Sequence, residues 1–266
     1  MTASISRLSD SILIGHIQTR LAGATVVTPS TPSRTARKAL ESGNFDQAPV
    51  MEGGVPIGFV RAADLSAGRG NVSSHVQPIL PRAIASETAP LEDALPWLDD
   101  TGFLFLLRGQ TITGFVVPSD LNKQAGRGYI YIALTELELR LADLVRELSR
   151  DGDTLECLVP QQANAIRKKL RLRVASNVEA DVVAEMNLSH LFKIVGSKAD
   201  VLDGMHIGTH DEWEELWRPI NDLRTRIAHS ARPLLEVEYG VGALRTVSDT
   251  IHLLIGRLEA LHPRYS

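Results

Sequence analysis

The strongest constraint on this chain is a repeat. Gly58-Phe59-Val60 is followed after three residues by Asp64, and Gly114-Phe115-Val116 is followed after three residues by Asp120, so the period is 56 residues. Ahead of each GFV lies a run rich in apolar residues, broken by Gly53-Gly54 in the first copy and Gly109 in the second. Apolar runs either side of a glycine turn read as a β-hairpin. Ahead of each hairpin the pattern changes to that of a helix, from about Ser33 to Ser42 and from about Leu91 to Leu98. Each copy therefore spells β-α-β-β-α, and each closing Asp is expected to cap a new helix, a role worth about 1 kcal/mol.

This tandem unit resembles the CBS domain pair, named after cystathionine β-synthase, over most of residues 20 to 122. The resemblance implies one pseudo-twofold module whose clefts take adenine nucleotides or related ligands. In the family a G-h-h-T/S-x-x-D motif supplies an Asp to ribose and a hydroxyl to phosphate. Here GFVRAAD and GFVVPSD put Asp64 and Asp120 at the Asp position, with Arg61 and Val117 at the hydroxyl position. Arg61 replaces a neutral donor by a charged one and favours a polyphosphate or cyclic dinucleotide. Val117 offers phosphate nothing, so the second cleft is expected to be empty or to hold something less charged. Without ligands, both carboxylates reduce to helix caps.

Two glycines in NKQAGRG suggest a joint at residues 123–128. Beyond it Ile130, Leu134, Leu137, Leu141, Leu144 and Leu148 follow helical spacing, with Glu136 and Arg140 paired on the polar face. This helix is a candidate lever, because few free dihedrals separate it from the repeats. From Pro160 to about Val178 a further helix, with Ile166, Leu170 and Val174 expected inside, carries Arg167, Lys168, Lys169, Arg171 and Arg173. Such a run tracks RNA phosphates in some proteins, but is more commonly a solvated face. Residues 197–210 read as a mobile loop. His206, His210 and Asp211 there lack a third ligand placed by regular structure, so zinc is not expected.

Near the end, INDLRTRIAHSARPL combines an apolar stripe of Leu216, Ile220, Leu223 and Ile227 with Asn221, Thr225 and His229 on the far side. At about 100° per residue, Arg224 and His229 lie roughly 140° apart and do not converge in one helix. Pro233 ends the helix soon afterwards, which places His229 in its last turn. There the negative end of the helix dipole favours imidazolium. The Arg-x4-His spacing resembles the R-x4-6-H motif of HEPN domains. That resemblance implies a dimer pairing two copies of the helix and, in many members, metal-independent RNA cleavage. By position Arg224 would bind phosphate, His229 would act as acid and base, and Thr225 with Asn221 would support them. The mechanism so implied uses the RNA 2′-hydroxyl as nucleophile and leaves a 2′,3′-cyclic phosphate.

The expected fold class is α+β: a tandem CBS module over 1–122 (repeats about 20–66 and 77–122), a linker at 123–128, and an all-α HEPN-like bundle of about five helices over 129–266. Cys157 is alone, which removes disulfide and Cys-based zinc frameworks. No apolar run approaches membrane-spanning length, and the first residues lack a signal-peptide core, so a cytoplasmic, soluble protein is expected. A net charge of −4 gives no global attraction to nucleic acid. The expected partners are a second copy of the chain, a regulatory adenine or related nucleotide, and single-stranded RNA, with no cofactor, metal or membrane. The duller alternative keeps the fold without chemistry: a ligand-sensing dimer in which Asp222 pairs with Arg226 and His229 caps the helix end.

Overall fold

A computed structural model describes residues 11–65, 68–150, 152–229, 231–236 and 239–265, with side chains described to residue 261. The chain divides into two compact units, Met1–Arg127 with Leu235–Gly242, and Gly128–Leu234 with Ala243–Ser266.

The first unit contains both repeats. Helix α1 (Ser33–Ser42) leads into strands β2 (Gln47–Glu52) and β3 (Val55–Arg61), and helix α2 (Leu91–Thr101) leads into β6 (Leu104–Arg108) and β7 (Thr111–Val116). Both hairpins turn on residues 53–54 and 109–110. Gly53 and Gly54 have φ of 57° and 80°, the left-handed pair that a two-residue hairpin needs. The repeat extends to the register. Val50 faces Gly58 and Leu106 faces Gly114, each with a bulge one step later, at Val50/Met51 and Leu106/Leu107. The mixed α+β class follows directly from these elements.

Two short strands exchange places. Strand β1 (Thr19–Arg20), which precedes the first repeat, pairs antiparallel with β7 of the second; β4 (Gln77–Pro78), which precedes the second, pairs with β3 of the first. Strand β5 (Ile84–Ser86) runs parallel to β6. The sheets are therefore β1-β7-β6-β5 and β2-β3-β4. This exchange explains the repeated glycine. A Cβ on Gly58 would lie 2.3 Å from the Gln77 carbonyl oxygen, and one on Gly114 2.7 Å from that of Thr19. Between the sheets Phe103 stacks on Phe59 (centroids 4.6 Å) and on Phe115 (4.9 Å), so the two GFV phenylalanines share one aromatic column.

In the second unit α3 (Gln124–Leu148) takes up the segment expected as a joint. Gly126 serves close packing instead of bending: its Cβ would sit 2.3 Å from the Leu121 carbonyl oxygen. Ile130, Leu134, Leu137, Leu141 and Leu144 are buried as the spacing requires. Arg140, however, pairs with Glu259 on α8 (Val241–Tyr265) at 2.9 Å and not with Glu136. Helix α8 buries Leu244, Val247, Ile251, Leu254 and Leu258, and Tyr129 shares a buried 2.7 Å hydrogen bond with its Ser248. Helix α4 (Pro160–Ala175) buries Ile166, but Val174 is 63% exposed.

Residues 197–210 are not a simple loop. Helix α6 (Ala199–Gly204) forms there, and Val201 and Met205 are fully buried. Helix α7 (His210–Ala228) buries Trp213, Trp217, Ile220 and Leu223, while Leu216 and Ile227 are only half-buried. The buried line swings towards the tryptophans because Phe192 of α5 (Leu188–Gly196) stacks on Trp213 at 3.7 Å and on Trp217 at 4.5 Å. Residues 235–242, expected in the helical part, belong to the first unit, where the Leu235 N–H donates to Asn122 Oδ1 at 3.0 Å. Among the described residues no helix is long and apolar enough to cross a membrane.

Candidate functional site

The strand exchange builds two clefts in the first unit. Each combines the end of one repeat's GFV strand with the strand that starts the other repeat. The cleft beside the second repeat encloses about 370 Å³, with Phe115, Val117, Ser119 and Asp120 on one side and Thr19, Thr25 and Asn44 to Gln47 around it. Its counterpart encloses about 230 Å³ between Phe59, Arg61, Gln77, Arg82 and Thr101. Residues 59, 61 and 101 correspond through the repeat to 115, 117 and 45. The first volume lies within the range of small-molecule sites and the second just below it.

Asp120 is buried, yet it is not a helix N-cap. It stands third in the 3-10 turn Pro118–Asn122, and its Oδ2 reaches back to accept the Val117 N–H at 2.8 Å. Its Oδ1 accepts the Thr19 hydroxyl at 3.1 Å and pairs with Lys123 Nζ at 2.7 Å. Lys123 also donates to the Ile17 and Gln18 carbonyls and to Thr19, so its ammonium is held at the base of the exchanged strand. One acceptor position on Oδ2 stays open, enough for a single ligand hydroxyl. Asp64 lies in a turn and accepts Gln77 Nε2 at 2.8 Å. Of the helix expected after it, Ser66 and Ala67 fall outside the described residues.

Arg61 turns into the first cleft. Its Nη2 donates to the Thr101 carbonyl at 3.0 Å and its guanidinium lies 5.7 Å from the Phe59 ring centroid, within cation–π range. Its Nε is buried without a hydrogen-bond partner among the described residues. Arg82, also in this cleft, pairs with Asp100 at 3.4 Å. Thr19, Lys123, Asp46 and Gln77 are site residues that pattern reading missed. Nothing local tells a strand to pair with the other copy, so sequence spacing gave no signal for them.

In the second unit the motif residues separate as helical geometry requires. Arg224 is half-buried and its Nη1 donates to Ser189 Oγ on α5 at 3.4 Å. The Thr225 hydroxyl donates to its own helix, to the Asn221 carbonyl at 2.9 Å. His229 is exposed and forms the C-cap, one residue past the last helical position, with its N–H on the Thr225 carbonyl. Asp222 and Arg226 pair at 3.0 Å. Next to Ser189, burial pushes the His190 imidazole pKa down, and Lys193, Lys169 and Arg224 push it further the same way. The basic run on α4 is largely engaged: Arg167 pairs with Asp153 at 2.9 Å, and Lys169 and Arg173 pair with Glu185. His206 and His210 do not converge on a metal. The His206 carbonyl accepts from Arg257, and His210 Nδ1 lies 3.0 Å from the Gly196 carbonyl oxygen. Among the described residues no group of three or more His, Cys, Asp or Glu side chains is placed to hold a metal ion.

Neither protein-family profiles nor curated proteins give a match to the chain. Among solved structures it is similar to the CBS-pair protein CBSX2 from Arabidopsis thaliana, at 20% identity over 46% of this chain and 96% of that one, with a TM-score of 0.39. CBSX2 in complex with AMP matches at 22% identity over 41% and 92%, with a TM-score of 0.36. The CBS domain of a bacterial CNNM/CorC family Mg2+ transporter in complex with ATP matches at 14% identity over 42% and 86%, with a TM-score of 0.38.

Proposed function

We propose that the first unit is a CBS-type sensor for an adenine nucleotide or related ligand, and that it controls the second unit, which acts as a HEPN-like helical domain in a homodimer. The observation that supports this most is the strand exchange. It sets the repeat aspartates, Asp64 and Asp120, beside the first strand of the opposite copy and opens a cleft at each GFV end. Arg61, with a buried unpartnered Nε, is the group in the first cleft that would meet a phosphate. Thermal shift with adenine and guanine nucleotides tests the sensor: a bound ligand raises the midpoint with concentration. Arg61→Ala and Asp64→Ala should each remove the shift that comes from the first cleft. If no nucleotide shifts the wild type, the sensor reading is wrong.

A second reading adds chemistry. Two copies of α7 meeting about a twofold would bring Arg224 and His229 of each chain into one pocket, since an isologous contact supplies every residue twice. One imidazole would take the 2′-hydroxyl proton of RNA and the other would protonate the departing 5′-oxygen, with Arg224 on the phosphorane charge. In favour of this, Arg224 has a neutral partner in Ser189 and His229 lies exposed at the helix end. Asp222 pairing with Arg226 and Thr225 bonding its own helix instead support a regulatory dimer without catalysis. Single-stranded RNA incubated in EDTA decides between them. Cleavage lost in both Arg224→Ala and His229→Ala supports the nuclease; equal nicking by all three proteins, or none, leaves the regulatory dimer.

A further inference from the structure

The two clefts are related by the repeat but opposite in charge, and we infer that the second takes a phosphate-free nucleoside and rejects the corresponding nucleotide. This rests on the sensor reading above and sharpens it. Among the described residues that line the second cleft there is no lysine or arginine, and there are two carboxylates, Asp46 and Asp120. Lys123 offsets Asp120 from behind, but all its donors are already committed to Asp120, Thr19 and two carbonyls. Asp46 forms no ion pair among the described residues; it is exposed at the cleft and also borders a neighbouring hollow lined by Arg61.

The open hydrogen-bonding capacity also leans one way. Gln47 lines the cleft, spends its Nε2 on the Gly102 carbonyl at 3.0 Å, and keeps a buried Oε1 without a partner among the described residues. With Asp46 and the remaining position on Asp120 these are acceptors, which call for ligand O–H and N–H donors, while Thr25, Asn44 and Ser119 can serve as donor or acceptor and bring no charge. A phosphate brings acceptors and negative charge, and Val117 stands where a hydroxyl would receive it. Leaving those acceptors unpaired against an anion is costly in both hydrogen bonding and charge. Phe45, 48% exposed, and Phe115 supply faces on which a planar base can stack. The first cleft holds two arginines, Arg61 and Arg82, against one carboxylate, Asp100, which pairs with Arg82.

Titration calorimetry at low ionic strength with adenosine, AMP, guanosine and GMP tests this on the full chain. For at least one base, the nucleoside should bind at least about tenfold tighter than its 5′-monophosphate. That nucleoside binding should survive Arg61→Ala, which disables the first cleft, and be lost in Val117→Trp, which fills the second. Phe45→Ala, at the mouth, gives the same loss by a gentler change. Asp46→Asn should narrow the preference and Asp46→Lys should reverse it. If a monophosphate binds Arg61→Ala as tightly as its nucleoside, and that binding vanishes in Val117→Trp, the inference fails while the sensor survives. If none of the four binds the wild type, both fail.

Discussion

Gly114→Ala tests whether the strand exchange governs the first unit. The added Cβ would lie 2.6 Å from Gln18 Oε1 and 2.7 Å from the Thr19 carbonyl oxygen. A carbon and an oxygen settle at roughly 3.4 Å, so the Thr19 backbone must retreat by about 0.7 Å. It cannot do so freely, because Lys123 holds the Ile17 and Gln18 carbonyls and the Thr19 hydroxyl together. Overpacking of this kind costs about 1–3 kcal/mol. Replacing glycine returns about 0.5–1 kcal/mol through the unfolded chain, which leaves a net loss of up to about 2.5 kcal/mol, with a mid-range value a little above about 1 kcal/mol. With a urea dependence of about 2 kcal/mol/M, the midpoint should fall by about 0.5 M at that mid-range value. Gly58→Ala should fall further, since its nearest obstacle is backbone at 2.3 Å. Gly128→Ala, on α3 with nothing within 4 Å of the new Cβ, should rise by up to about 1 kcal/mol. Circular dichroism through urea titrations measures all three. Were Gly114→Ala to match the wild type in midpoint and slope, the exchanged strand would not be held where the structure has it.

Two further outcomes concern the helical unit. The His190 pKa is lowered in the folded protein, first by burial and then by Lys193, Lys169 and Arg224. The unfolded chain therefore binds the proton more readily, so this contribution is complete above the unfolded imidazole value and is lost as pH falls through the window beneath it. His190→Gln should flatten the decline in stability between about pH 7.5 and about pH 5.5; parallel urea midpoints for the two proteins would refute this. Trp213→Ala removes a fully buried ring stacked on Phe192 and frees the Phe192 carbonyl from a 2.9 Å bond to the indole N–H. A loss of about 3–5 kcal/mol is expected by chemical denaturation, and a loss below about 1 kcal/mol would mean that α5 and α7 do not pack as described.

Much of the architecture was readable from local pattern. The 56-residue period carried the hairpins and their glycine turns, because hairpin register depends on neighbours a few residues away. Apolar spacing located α3 and its buried line, because a helix declares its inner face within two turns. Asp222 and Arg226, four residues apart, pair as such spacing allows.

What tertiary structure decided involves partners distant in sequence. Gly126, in a segment read as a joint, lies in close contact with Leu121, since a glycine serves both uses and only the neighbour distinguishes them. Pairing β1 with β7 and β4 with β3 placed Thr19 on Asp120 and Gln77 on Asp64, and no local signal favours the opposite repeat over its own. The same exchange gave two equivalent clefts different electrostatic walls, with Arg61, Arg82 and Asp100 in one and Asp46 and Asp120 in the other. Arg224 turned to Ser189 for a similar reason: a side chain's direction is set by what packs against its helix, which spacing along one chain does not specify.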